Sequence, residues 1–434
     1  MKKNYLFGML ALAAMTMVGC SNDEVVNDYS QDNAIQFGTY VGRGASSRAH
    51  VIDTKTLGTE GFGVFAYYHK GENNTPGAFS TTSTPDFMYN EKVYNNGEWS
   101  EENGFSTGWT YDIVKYWPNN VNDRVSFFAY APYKEDFKLA ENAAGDPTIP
   151  YSVKVANGIA TPNNNVDLLY LKEPQLNLQK QTIDNKVIFT FEHALSRIAF
   201  AAKVLVDEVN GDHTGTKNEE THELNSLAEG TEITINSVKI NGKFYTAGEL
   251  NLNRPAPVNN DELKTGWMAD KFTASEEIIS YELTAANFVD GANEFEGKDV
   301  KSEALNNDES YLMIMPQNFE EGNEITITVD YNVVTEDAKL TAGNGKSDIH
   351  NIITSVPFTF DFEEGKAYKF TLHLGMTSVK LSASVTPWGE DEDWSVNVPI
   401  NNDNAGTGNP EWDNYYGNET SEGGEQGGNA PAEE

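Results

Sequence analysis

Short runs in which apolar and polar residues alternate recur along almost the whole chain. Ile35, Phe37, Thr39 and Val41 fall on one side of such a run, with Gln36 and Tyr40 on the other. Phe62, Val64, Ala66 and Tyr68 repeat the pattern, as do Val125, Phe127 and Ala129. Further runs are Val187, Phe189 and Phe191; Ile198, Phe200, Ala202 and Val204; Ile233 and Ile235; Leu312 and Ile314; and Ile325, Ile327 and Val329. The last are Tyr368, Phe370, Leu372 and Leu374, then Val379, Leu381, Ala383 and Val385. A period of two places alternate side chains on opposite faces of a strand. The runs are short, rich in β-branched and aromatic residues, and bounded mostly by Gly, Asn, Asp or Pro. Many such strands separated by turn signals predict an all-β protein of β-sandwich type. The one segment with helical spacing is Ala269 to Leu283.

The pattern lapses in four places, and these lapses divide the chain. Lys2 and Lys3 precede an apolar run from Tyr5 to Val18, followed by Gly19 and Cys20. A basic start, a short apolar stretch and a small residue before the cut form a secretory signal, too short to span a bilayer. This predicts a signal peptide over 1–19 and a polar, acidic tether over 20–33. A second lapse between Leu171 and Asp184, rich in Lys, Glu, Gln and Pro, separates two expected sandwich domains, 34–175 and 183–400. Asp207 to Glu229 is polar and acidic and is expected to be an exposed hairpin loop. After Ile400 the chain turns Asn-, Gly- and Glu-rich, an acidic low-complexity tail over 401–434 with too little apolar surface to bury. Trp412, Tyr415 and Tyr416 interrupt it as a candidate docking element.

Cys20 is the only cysteine. Standing at the first position after the cut, its thiol is the expected attachment point for lipid, including palmitate, because several acyl chains give the stable anchoring one chain does not. Position 17 is Met, where bacterial lipoprotein signals usually carry Leu. A single cysteine also leaves no intrachain disulfide, so the fold must rest on core burial. The formal charge is −36, and losing Lys2 and Lys3 takes it to −38. That balance argues against nucleic acid, whose phosphates need clustered Lys and Arg, and against adsorption to anionic headgroups.

Catalytic chemistry leaves no trace. The seven histidines, His50, His69, His193, His213, His222, His350 and His373, form no H-E-x-x-H pair. There is no nucleophile elbow, P-loop or dinucleotide fingerprint. His213 with His222, Asp391-Glu392-Asp393 and Asn401 to Asn404 offer cation ligands without an established binding pattern. No catalytic residue, metal or cofactor is therefore expected. Among the tryptophans, Trp117 and Trp388 adjoin Pro118 and Pro387 and are expected in core or corner positions, whereas Trp99 and Trp109 sit in an Asn/Gly-rich loop as the better exposed sugar-stacking candidates.

Several segments together resemble the fimbrillin family of Bacteroidales, subunits of type V pili. They are Ala34-Ile35-Gln36-Phe37 before Ser47-Arg48-Ala49, Gly61-Phe62-Gly63-Val64-Phe65-Ala66-Tyr67, Tyr116-Trp117-Pro118, and Val125-Ser126-Phe127-Phe128-Ala129-Tyr130. Asp167-Leu168-Leu169-Tyr170, Phe191-Glu192-His193-Ala194-Leu195-Ser196-Arg197-Ile198 and Val385-Thr386-Pro387-Trp388 complete the set. Ser21-Asn22-Asp23-Glu24 resembles the acidic flank of surface-exported lipoproteins of Bacteroidetes. The resemblance implies two tandem transthyretin-like, Greek-key sandwiches, no enzymatic activity, and export to the outer face of the outer membrane. It also implies assembly with other pilus subunits. A protease would cut after Arg43 or Arg48, freeing the strand Ile35 to Val41, and a neighbour's C-terminal strand would fill the groove left behind. The donor would be Val379 to Val385, with Leu381 between them, or the segment from Trp394 through Val396 to Val398. His193 would be a hydrogen-bonded strand histidine. The other reading is an outer-membrane glycan-binding lipoprotein of a polysaccharide-uptake system, with exposed tryptophan platforms and no polymerisation.

Overall fold

The computed structural model describes residues 33–41, 52, 54–100, 104–139, 143–162, 165–180, 186–204, 230–253, 266–296, 303–306, 310–336, 338–340, 343–355, 357–374, 379–387 and 396–398. Cys20, Arg43, Arg48, the acidic stretch 207–229, His213, His222, Trp388, residues 391–393 and the tail lie outside them, as do the side chains of Val396 and Val398. Strands are the dominant regular element of the described residues, with one seven-residue helix, Thr54–Glu60, and short 3-10 turns beside them, so the protein is all-β.

Each alternating run forms a strand. Ile35 to Val41 gives Phe37–Val41, the next run gives Phe62–His69, and the later ones give Arg124–Ala131, Val187–His193, Ser196–Val204, Thr231–Gly242, Thr326–Glu336, Lys366–Leu374 and Val379–Pro387. The first sheet runs in the order Phe37–Val41, Val187–His193, Leu169–Leu171, Arg124–Ala131, Phe62–His69, Met88–Val93, with Gln175–Leu178 also pairing to Arg124–Ala131. That last short strand lies inside the stretch where the sequence pattern lapses. The second sheet is Glu303–Ala304, Ser196–Val204, Lys366–Leu374, Val379–Pro387, Val396–Val398. The third is Lys346–Thr354, Thr326–Glu336, Thr231–Gly242, Ile279–Thr284, Ile159–Ala160.

The helical expectation for Ala269 to Leu283 is overturned. A single 3-10 turn, Ala269–Lys271, is followed by strands Thr273–Ala274 and Ile279–Thr284. Ile279, Tyr281 and Leu283 are buried at every second position, which a strand achieves and a helix does not.

The first sheet is covered on both faces. Phe62, Val64 and Ala66 face one core together with Phe127, Leu171, Val187, Phe189 and Phe191. Phe65, Tyr67, Phe128, Tyr130 and Tyr170 point the other way, into a second core that continues through residues of the later sheets. Double-sided burial explains why Phe62–His69 reads as a nearly unbroken apolar run rather than a strict alternation. Four strand pairings cross the boundary expected between 171 and 184. Val187–His193 lies inside the first sheet, between Phe37–Val41 and Leu169–Leu171, and pairs with both. Thr148–Ser152 pairs antiparallel with Tyr245–Asn251, and Ile159–Ala160 pairs parallel with Ile279–Thr284.

Candidate functional site: the first strand and its seat

The first strand stands at an edge of its sheet. Among the described residues it makes one ladder, a parallel one, running from Phe37 opposite Val187 to Val41 opposite Phe191. Everything between these strands, some 150 residues of sequence, forms the crossover that a parallel pairing requires. The strand inserts its apolar side into the first core: Ile35, Phe37 and Val41 are all buried, Phe37 with 1% of its surface exposed. The Phe37 ring sits among those of Phe62, Tyr111, Phe127 and Phe189, at centroid distances of 6.3, 5.5, 5.9 and 5.2 Å. Three of the four meet it edge-on, the geometry that aromatic quadrupoles favour. On the opposite face Gly38 lies so close to Ile188 that a Cβ would meet its Cδ1 at 2.7 Å.

The approach to the strand is clamped. Ile35 N–H donates to the Lys115 carbonyl (2.8 Å) and Trp117 N–H to the Asn33 carbonyl (2.9 Å). The Tyr111 hydroxyl donates to the Ile35 carbonyl at 2.8 Å and accepts from Lys115 N–H at 3.2 Å. Burial pushes the Tyr111 phenol above its ordinary pKa, so it stays a neutral donor. Trp117 is buried against Phe127, which accounts for the Tyr-Trp-Pro segment as a corner of the fold. Sequence reasoning missed Tyr111 and Asn33. A lone aromatic in a polar loop carries no periodic signal.

Beyond the strand, the chain reappears at Ile52, whose N–H donates to Oδ2 of the buried Asp167 at 3.0 Å. His193 Nδ1 lies 2.8 Å from the same oxygen. His193 is thus a hydrogen-bonded strand histidine holding the carboxylate that fixes the chain after the 42–51 stretch. The neighbouring Arg197 is buried with its guanidinium over the Tyr311 ring at 4.3 Å.

The C-terminal candidates lie elsewhere. Val379–Pro387 belongs to the second sheet and pairs along its whole length with Lys366–Leu374. Leu381 is buried, and Val379 and Val385 pack against the second core. Val396–Val398 forms a three-residue ladder at the edge of that sheet. The structure therefore brings Ile35, Phe37 and Val41 together in one seat and places Val379, Leu381, Val385, Val396 and Val398 in another sheet of the same chain.

The tryptophans expected to be exposed are not flat platforms. Trp109 is half-buried with its ring 5.1 Å from Phe62, and Trp99 is half-buried against Phe105 at 4.9 Å. The Trp109 side chain contributes to the first core from its rim.

The fimbrillin-like family profile matches residues 47–388. The chain belongs to the fimbrillin-like family. Membership indicates a non-enzymatic fimbrial subunit that assembles with other subunits at the cell surface. Similar solved structures include a candidate cell-adhesion protein from Bacteroides uniformis, 16% identical over 82% of this chain and 98% of that one, at a TM-score of 0.41. The tip fimbrial protein Mfa3 from Porphyromonas gingivalis, truncated at its C-terminus, is 10% identical over 79% of this chain and 97% of its own, at a TM-score of 0.33. No curated protein gives a significant match to this fimbrillin-like chain.

Proposed function

We propose that this fimbrillin-like protein is exported as an outer-membrane lipoprotein anchored through Cys20, cut after Arg43 or Arg48, and assembled by strand exchange. In this reading the strand Phe37–Val41 leaves and the C-terminal strand of another subunit takes its seat. The observation that carries it is the position of Phe37: an edge strand with a single five-residue ladder fills an aromatic pocket at the centre of the first core. Removing it would bare the rings of Phe62, Tyr111, Phe127 and Phe189 and one sheet edge, and a bared apolar groove beside free backbone groups drives association. A replacement strand would regain the ladder through its backbone and fill the pocket through alternate side chains. Among the two donor candidates, the lightly paired Val396–Val398 segment would leave its own sheet at less cost than the fully laddered Val379–Pro387.

Limited trypsin digestion of purified protein beginning at Cys20 tests this. Mass spectrometry should find a cut after Arg43 or Arg48, and unboiled gels should then show a ladder of oligomers that boiling collapses. Cut protein that remains a folded monomer would remove the strand-exchange reading.

A further inference from the structure

Of the twelve large apolar side chains exposed among the described residues, four lie within nine positions of one loop. They are Ile113 (64% exposed), Val114 (48%), Tyr116 (49%) and Val121 (63%). The loop is held firmly at its base. Tyr111 and Trp117 are buried, and the buried Asp123 accepts from Gly71 N–H at 2.9 Å and the Tyr68 hydroxyl at 2.6 Å. The exposure therefore belongs to a fixed loop and needs an explanation.

The same loop is where the chain enters the fold. Ala34 bridges to Tyr116, and the Asn33 side-chain amide donates to the Trp117 carbonyl and to Asn119 Oδ1, both at 3.2 Å. Thirteen residue steps separate Asn33 from Cys20, a reach of at most about 45 Å for a fully extended chain. We propose that the loop Tyr111–Asp123 is a membrane-docking element, which places Ile113, Val114, Tyr116 and Val121 in the interfacial zone of the bilayer that holds the lipid on Cys20. The proposal rests on the lipoprotein reading. It goes beyond that reading by giving the uncut subunit a second, non-covalent contact with the membrane.

The chemistry fits a neutral lipid surface. Tyrosine, with an apolar ring and a polar hydroxyl, suits the headgroup boundary, and the aliphatic side chains suit the acyl chains just beneath it. The loop's charged side chains are Asp112, Lys115 and the buried Asp123, so its exposed charge is locally balanced although the whole chain is strongly acidic. A few apolar side chains bind weakly when free in solution. A short tether makes their contact intramolecular, at an effective concentration in the millimolar range. Cutting after Arg43 or Arg48 would remove the tether together with Asn33 and Ile35, the partners of the loop, and so release the subunit from both contacts.

The test uses the full lipidated chain on phosphatidylcholine vesicles. Ile113→Cys offers a single thiol for an environment-sensitive fluorophore, because the lipid occupies Cys20. Ile278→Cys, at an equally exposed residue (66%), is the comparison. On vesicles that carry the protein in flotation, the label at 113 should shift to the blue and be quenched by nitroxide-bearing lipid, while the label at 278 does neither. Identical behaviour at both positions on protein-bearing vesicles would overturn the docking proposal and leave the anchor intact. Protein that fails to float would overturn the lipoprotein reading and this proposal with it. A blue shift at 113 that needs added trypsin-cut copies and no vesicles would reassign the loop to a subunit interface.

Discussion

Phe37 concentrates the first core's dependence on a strand that is only five residues long. Its ring packs against four others. Phe37→Ala should therefore cost about 3–5 kcal/mol, the usual range for emptying a buried phenylalanine site. Urea denaturation at fixed pH measures it, and a loss below 1 kcal/mol would mean that the pocket collapses around the gap. His69 makes a different kind of prediction. It is buried beside Ser126, with Nε2 3.0 Å from Ser126 Oγ, and burial holds its pKa below the ordinary 6.5 against the opposing pull of the Asp86 charge. The unfolded chain then takes up a proton at a higher pH than the folded one. Stability from this site is complete above 6.5 and is lost as pH falls from there through the lowered folded value. His69→Gln should flatten that part of the stability–pH curve. An unchanged slope below pH 6.5 would show that His69 does not couple to folding.

At the scale of elements, the two C-terminal strands differ in what they hold. Val379–Pro387 carries the buried Leu381 and Ala383 and a full ladder to Lys366–Leu374. A chain ending at Gly375 should lose at least the ~2–5 kcal/mol that one buried leucine supplies, whereas a chain ending at Pro387 should keep nearly all its stability. Thermal melts of the two truncations decide it, and equal losses would mean that Val396–Val398 carries more of the sheet than its three-residue ladder suggests. The same strands show how far the sequence could be read. Val379, Leu381, Ala383 and Val385 announce a strand because a half-buried strand needs alternation, and Ile35, Phe37 and Val41 announce a buried face for the same reason. Alternation does not say which strand pairs with which, so the parallel seat of Phe37–Val41 on Val187–His193 could come only from the family resemblance or the structure. Ile279, Tyr281 and Leu283 alternate too, but polar neighbours and the preceding Ala-Asp-Lys blurred the period into a helical one. Gln175–Leu178 went unseen because its ladder to Arg124–Ala131 contains a bulge and none of its side chains is fully buried, its apolar Leu176 and Leu178 falling at an exposed and a half-buried position, so apolar patterning has little to enforce.

At the scale of the whole molecule, the two halves are tied by more than a linker. Among the described residues Thr148–Ser152 finds its ladder only on Tyr245–Asn251, and Asp146 accepts from the side chains of Asn251 and Asn253 at 2.9 and 2.7 Å. Gly266 N–H donates to the Tyr170 hydroxyl, and that hydroxyl donates to Glu364. The face of the first sheet bearing Phe65, Tyr67, Phe128, Tyr130 and Tyr170 is covered by the core that the second half builds. Unfolding either half alone would strand these groups, so partial unfolding should be costly for both. Scanning calorimetry of the full chain should accordingly give one transition with equal calorimetric and van't Hoff enthalpies. Two separated transitions would mean that the crossing strands peel away cheaply and that the halves behave as independent sandwiches. The distinction matters for assembly. If the molecule unfolds as one unit, vacating the seat of Phe37 would lower the stability of the second half as well as the first. Filling that seat with a neighbour's strand would then stiffen the whole subunit, by the linkage that lets any ligand of the native state oppose unfolding.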